Sequence, residues 1–403
     1  MKLKIIFLLL VLFTIQTSFS LWAYDFGLVT SVKTSFGNVN EENNFHFKTD
    51  FWPRFSCLIG DNASFYAAAG IALDYEDTFR IIPELLRTEF TYNSGSWGIK
   101  AGRINYADPL SFIAAGLFDG VQYHTNTSIG RFNISAFYTG LLYKETANIT
   151  MTPEDLNIYN TPLDFSDFSN TYFAPKRLIA AFDWSHPSIA RKFRMNVSVI
   201  GQFDLSDSDY QYHSQYLVLK GGLPINKFFI EAGFAVQFSQ AISDTDTVNN
   251  IAFAGDFNFT WLIPANINSS LSFSARVAGG RIDETVGNFV PITTVYFGNI
   301  LSLKMSGLSI LNLNYSARFM EKIAAFLSMS YFIRNDLGTV TGYPISDKKE
   351  YFLGAEIYAG FIYKPFSDLQ FNLGGGAFLP SLGNASPNEK ILWRLELKAV
   401  ISI

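Results

Sequence analysis

Cysteine is almost missing from this 403-residue chain. The lone Cys57 can form no internal disulfide. The four histidines, His46, His124, His186 and His213, are scattered without metal-ligand spacing, so no metal site is expected. Charge is scarce as well. Charged residues make up 16% of the chain, and a formal net charge of -5 gives no bulk attraction to nucleic acid or anionic lipid. No nucleotide-binding loop, two-histidine zinc motif or nucleophile elbow is present, so neither a cofactor nor an enzymatic activity is expected. Beyond the first twenty residues there is no run of 18 consecutive apolar residues and no sustained 3.6-residue period, which excludes spanning helices and amphipathic bundles.

What is present is apolar and aromatic. Hydrophobic residues reach 48%, aromatic residues 16%, and phenylalanine alone supplies 40 positions. That composition excludes disordered, collagen-like and coiled-coil chains. Residues 1–20 combine basic Lys2 and Lys4, an apolar stretch from Ile5 to Ile15 and the small-x-small site Ser18-Phe19-Ser20, the layout of a cleaved secretory signal. Cleavage after Ala23 is the other choice. Export removes two lysines and takes the formal charge from -5 to -7.

The remaining residues, 21–403, read as a single all-β domain built on a period of two. Near the C-terminus Trp393, Leu395, Leu397, Ala399 and Ile401 share one face, with Arg394, Glu396, Lys398 and Ser402 on the other. The same alternation runs through Met195, Val197, Val199 and Phe203 against Arg194, Asn196, Ser198 and Asp204. It returns at Phe228, Ile230, Phe234 and Phe238 against Glu231 and Gln237, and in 26–36, 271–277, 309–319 and 351–363. Several runs reach the roughly 9 to 11 residues of a tilted membrane strand, where sandwich strands average about 5 to 6. Aromatics near strand ends, such as Tyr351, Phe361 and Tyr363, suit girdles at lipid headgroups. The expected fold is therefore a transmembrane, antiparallel, up-and-down β-barrel with its apolar faces outward.

Short connectors are expected at Gly60-Asp61-Asn62, Asn93-Ser94-Gly95-Ser96, Pro187-Ser188, Gly221-Gly222-Leu223-Pro224, Pro264-Ala265-Asn266, Met320-Glu321-Lys322 and Pro365-Phe366-Ser367. Long polar loops are expected at 38–44, 144–175, 243–250, 280–288, 336–349 and 381–389. Short periplasmic turns opposite long extracellular loops is the outer-membrane arrangement. Counting every extended run gives nineteen strands, which cannot close with both termini on one side. Assigning 289–303 to a long loop folded into the lumen leaves about 18.

Lys100-Ala101-Gly102-Arg103, Asp108-Pro109 and Phe118-Asp119-Gly120-Val121 resemble the glycine-arginine and aspartate-glycine elements of the alginate-export and related outer-membrane porins. Gly354-Ala355-Glu356-Ile357 and Leu373-Gly374-Gly375-Gly376-Ala377-Phe378-Leu379-Pro380 resemble that family's penultimate hairpin. The likeness covers about a third of the chain and implies an eighteen-stranded barrel passing anionic or small polar solutes. Tyr358 stands where the family pattern has an acidic residue, and Ile403 where it ends on phenylalanine; the latter implies a variant assembly signal.

Charge on the lipid face costs about 2 to 4 kcal/mol at the midplane, so charges inside alternating strands are assigned inward. This marks Arg131, Arg194, Asp204, Glu231, Asp256, Arg276, Arg318, Arg334, Glu356 and Arg394 as pore-lining candidates, together with Glu396 and Lys398. Arg103 falls on the outward parity, which places it at a bulge or at the rim. The arginines either form a ladder that guides anions or pair with the acids to brace the wall. Loop 144–176, with Asp155, Asp164 and Asp167, is the candidate constriction or outward binding surface.

The expected function is a passive outer-membrane channel for small hydrophilic solutes, anions among them. A surface adhesin or receptor using loop 144–176, and a fatty-acid-type transporter, are the alternatives. The expected partners are outer-membrane lipid, the barrel-assembly machinery and the solutes themselves, and not nucleic acid.

Overall fold

A computed structural model describes residues 22–39, 43–265, 267–282, 285–337, 350–385 and 390–403. The expected signal segment and most of loop 336–349 lie outside the described residues. The first strands are β1 (Trp22–Gly37), β2 (Asn44–Ile59), β3 (Ala63–Tyr75), β4 (Phe79–Ser94), β5 (Trp97–Ala107), β6 (Ala115–Thr127) and β7 (Gly130–Tyr138). After a long connection come β8 (Arg177–Ile189), β9 (Phe193–Asp204), β10 (Tyr210–Ile225), β11 (Phe228–Ser243), β12 (Thr247–Pro264) and β13 (Asn268–Ala278). The barrel is completed by β16 (Leu308–Met320), β17 (Ile323–Arg334), β18 (Phe352–Phe366), β19 (Leu369–Leu379) and β20 (Leu392–Ser402). Each strand pairs antiparallel with its neighbour, and β20 closes on β1 from Val29↔Ser402 to Gly37↔Arg394. The result is the expected 18-stranded barrel.

Closure satisfies the backbone without water, which is what a wall in hydrocarbon requires. Among the described residues no helix is long and apolar enough to cross a membrane; the strands supply the span. Outward residues such as Phe182, Val199, Leu217, Phe234, Phe253 and Leu397 are exposed. In water such a continuous apolar surface would aggregate; against lipid tails it needs no cover.

One end carries eight connections of two or three residues and both termini, and the other carries the long loops. Gly60 (φ 62°), Gly95 (φ 57°) and Asn226 (φ 54°) supply the left-handed conformation that such tight turns require. Three expectations shift here. Gly221-Gly222-Leu223-Pro224 is not a turn but lies within β10, and the chain reverses at Asn226-Lys227. Pro224 is tolerated because the β9 pairing ends at Gly222↔Arg194, leaving that stretch of β10 with one open edge. Pro187-Ser188 likewise belongs to β8, with the reversal at Ala190 and Arg191, both at positive φ. The expected loop 243–250 shrinks to residues 244–246, because β11 and β12 pair up to Ile242↔Thr247.

Three long-end connections enter the barrel: 108–114, 139–176 and 279–307. The second holds α1 (Lys144–Ala147), α2 (Pro153–Asn160) and α3 (Phe168–Thr171). Its α2 starts on a capping box, in which Thr152 accepts from Asp155 N and Asp155 from Thr152 N. The third contains the short ladder β14 (Tyr296–Phe297) with β15 (Leu303–Lys304) and an isolated bridge from Val286 to Ile251 of β12. Residues 289–303 are thus loop, as the strand count required. Their apolar side chains Phe289, Ile292, Ile300 and Leu303 are fully buried inside the barrel with Phe112 and Ile113 of the first insert.

Candidate functional site: the barrel lumen

The inserts fill one side of the lumen because backbone and side-chain groups knit them to each other and to the wall. Asp108 accepts from the backbone N–H groups of Leu110, Ser111, Ile113 and Ala114 at 2.7 to 3.0 Å and so folds 108–114 into a tight cap. Burial pushes its carboxyl above the ordinary value despite these four donors. Ile292 N and Thr293 N donate to Ile113 O, and Asn148 exchanges two hydrogen bonds with Thr294, joining the third insert to the other two. On the wall, Gln237 both donates to Val290 O and accepts from Val290 N, while Tyr216 donates to Val290 O.

Charged groups complete the seating. Arg177 at the base of β8, 1% exposed, bridges Asp155 of α2 (2.6 and 2.7 Å) and Asp204 at the end of β9. Lys304 Nζ donates to the carbonyl and hydroxyl oxygens of Thr150. Burial brings its ammonium down to about 8, with Asp155 opposing the shift. At the other edge of the second insert, His46, Asp74, Arg80 and Glu145 form a chain with contacts of 2.6, 2.7 and 3.0 Å, tying α1 to β2, β3 and β4.

Arg103 occupies an irregular place in the wall. β4 and β5 pair only from Thr88↔Arg103 to Ser94↔Trp97, and Gly102 has φ +113°. Where the strands part, the Arg103 guanidinium fills the opening. It binds Asp119 through two contacts of 2.8 Å and donates to the carbonyls of Leu85 and Leu141. It is 4% exposed and closes the wall instead of facing the passage.

The side left open is the wall from β20 through β1 to β2. Lys398↔Lys33 and Lys33↔Lys48 are direct cross-strand partners, so three lysines share one inward-facing row on adjacent strands. Like charges in such positions repel one another. Lys33 is offset by Glu396 at 2.8 Å. Among the described residues no carboxylate lies within ion-pair distance of Lys48 or Lys398, and Asp74, the partner of Lys48 on β3, is already engaged by His46 and Arg80. Four residues up β20, toward the long-loop end, stands Arg394, and six residues down β2 stands Arg54. At the long-loop end this wall borders a cleft of about 280 Å³ lined by Lys33, Ser35, His46, Glu76 and Arg394.

The structure disperses the residues expected to line a pore. Arg131, Arg194 and Arg318 sit exposed, each within a few residues of a short turn. Arg276 stacks 4.9 Å from the Phe297 ring under the third insert, and Asp256 meets Lys220 at 3.4 Å beside it. Glu231 is half-buried one row lower. Three assignments change. Asp204, Arg334 and Glu356 are 4%, 2% and 1% exposed and are taken up by protein groups, so they brace the inserts and loop ends and do not face solute. Asp204 holds Arg177, Arg334 donates to Glu350 O, and Glu356 accepts from the backbone of 299–301. Inward parity located the side of the wall correctly; the inserts then covered part of that side. Only Arg394 of the ten borders the cleft. Lys33, Lys48, His46 and Arg80 were passed over, although Phe45, Phe47 and Phe51 against His46, Lys48 and Asp50 show the same alternation.

No family model matches the sequence, and no curated protein matches it. Solved structures do. OccK5 (OpdH) of Pseudomonas aeruginosa superposes with a TM-score of 0.62 over 94% of this chain and 98% of that one, at 10% identity. The outer membrane protein opdK of the same organism gives 0.58 over 94% and 99%, also at 10% identity. The fold is an outer-membrane barrel fold. OccK2 (OpdF) of P. aeruginosa, solved in complex with glucuronate, gives 0.59 over 94% and 98% at 10% identity.

Proposed function

We propose that the chain is an outer-membrane channel for passive diffusion of small hydrophilic solutes, with anions favoured along the β20–β1–β2 wall. The observation that carries this reading is the row Lys398, Lys33 and Lys48, facing the lumen with two of the three ammonium groups unpaired among the described residues. Unpaired cations at a wet wall lower the free energy of a passing carboxylate or phosphate, and Arg394 and Arg54 extend that field along the strands. The anion track is thus built mainly of lysines on β1, β2 and β20, where the sequence suggested arginines spread around the barrel. Residues 1–20 serve as the export signal in this reading. In this reading the resemblance to alginate-export porins is one of wall construction, since Arg103 and Asp119 pair where β4 and β5 part.

The inward folding of 139–176 favours a constriction over an adhesin, whose loop would be presented outward. Its Asp155 is buried on Arg177, and its Glu145 is held by Arg80. Liposome swelling tests the reading. Vesicles carrying the refolded protein are expected to swell faster in glucuronate than in a neutral sugar of like size; equal rates would remove the anion preference, and no swelling would remove the channel.

A further inference from the structure

Glu356 is a buried acid with no cation on it among the described residues. Its carboxylate on β18 instead accepts from Asn299 N (2.6 Å), Asn299 Nδ2 (3.2 Å), Ile300 N (2.9 Å) and Leu301 N (3.1 Å). Charge-assisted hydrogen bonds of this kind are stronger than neutral ones. The turn they fasten depends on Gly298 at φ +94°, where a Cβ would run into the Leu301 carbonyl oxygen. From the same turn, Asn299 O accepts from Arg394 Nη1 at 3.1 Å. Arg394 in turn borders the 280 Å³ cleft at the head of the lysine row. A continuous set of contacts therefore runs from a covered carboxylate on β18, through one turn of the third insert, to a cation on β20 at the mouth of the open wall.

We propose that Glu356 is a positioning residue of the passage: it seats the 298–301 turn and, through Asn299 O, aims Arg394 at entering anions. The inference rests on the channel reading and assigns Glu356 a sign opposite to its charge. An acid lining a pore repels anions, so its removal should raise anion preference. An acid that positions an arginine should lower that preference when it is lost, even though a negative charge goes with it. Glu356→Gln is the sharp substitution. It preserves shape but turns an NH2 group toward the N–H donors of the turn, which leaves donors facing donors.

The test is the reversal potential of the full-length, refolded protein in planar bilayers across a potassium chloride gradient, with heat-modifiable gel mobility confirming the folded barrel. Glu356→Gln is expected to lower the chloride-to-potassium permeability ratio by about two- to fivefold, the range of a partly screened charge contact. It should add flicker to the open state as the insert loosens. In an Arg394→Ala background the same substitution should change the ratio no further, because the two act through one contact. A ratio that rises or stays constant in Glu356→Gln, or falls by the same factor with Arg394 absent, overturns the proposal. If Glu356→Gln does not reach the folded form, Gly298→Ala, in the insert and outside the barrel strands, carries the same expectations. Wild-type protein that passes no current sinks the channel reading itself, whereas a conducting wild type with an unchanged Glu356→Gln sinks only the positioning role.

Discussion

Arg177 shows how much a single side chain holds in place here. It satisfies Asp155 of α2 and Asp204 of β9 at once, in a setting where all three are almost fully buried. Replacing it with methionine keeps much of the volume but leaves two buried carboxylates without their shared guanidinium. Breaking a buried pair in this way costs about 3 to 5 kcal/mol. Arg177→Met should therefore lower the denaturant midpoint in detergent by a corresponding amount; a shift under 1 kcal/mol would show that the triad does not brace the insert. Lys304 gives a pH dependence of defined sign. Its folded value near 8 lies below the ordinary 10.5, so the folded protein binds fewer protons than the unfolded chain between those limits. Stability must then rise with pH through that window, by up to about 3 kcal/mol for a shift of this size. The rise should vanish in Lys304→Met, as read by unfolding midpoints at pH 7.5 and 10.5 for both proteins. Neither role was legible in the sequence. Alternation assigns a residue to one side of the wall, as it did for Asp204 and Glu356, but burial by a segment distant in sequence, such as residues 299–301 over Glu356, carries no local signal.

At the scale of elements, legibility followed periodicity. The strands could be read because a wall with lipid outside and water or insert inside imposes a period of two on every strand. The strand count could be resolved because closure demands parity, and that argument alone moved 289–303 from wall to lumen. Glycine and proline misled at 221–224, where a breaker composition sits in a strand whose pairing on one side ends at Gly222. The way 108–114, 139–176 and 279–307 interlock was beyond reach, because it rests on backbone bonds such as Ile292 N to Ile113 O. That interlocking predicts an asymmetric outcome for loop deletion. Replacing 144–175 by a short turn strips Thr294 and Lys304 of their partners and opens the half-filled lumen. Single-channel conductance should rise about two- to threefold, toward that of an unobstructed 18-strand barrel. Unchanged conductance would mean that the helices α1, α2 and α3 do not border the passage.

Across the whole molecule the physical division is between three surfaces. The outside is apolar and suits acyl chains. Inside, the inserts pack Phe112, Phe289, Ile300 and Leu303 into a dry cluster against the wall, and Tyr143 and Tyr172 of the second insert pack beside it on Ala72 of β3 and Ile82 of β4. The arc from β20 through β2 carries the inward row Lys398, Lys33 and Lys48, with Lys33 and Arg394 on the cleft at its long-loop end. A chain with a formal charge of -5 thus presents a positive track to its lumen, which net charge alone would not suggest. The account depends on that track, and a charge-reversal recording tests it most directly. The protein with Lys33→Glu, Lys48→Glu and Lys398→Glu combined is compared with wild type by reversal potential across a potassium chloride gradient. The account predicts stepwise, anion-preferring conductance in wild type and cation preference in the triple variant. Identical reversal potentials in the two proteins would contradict it.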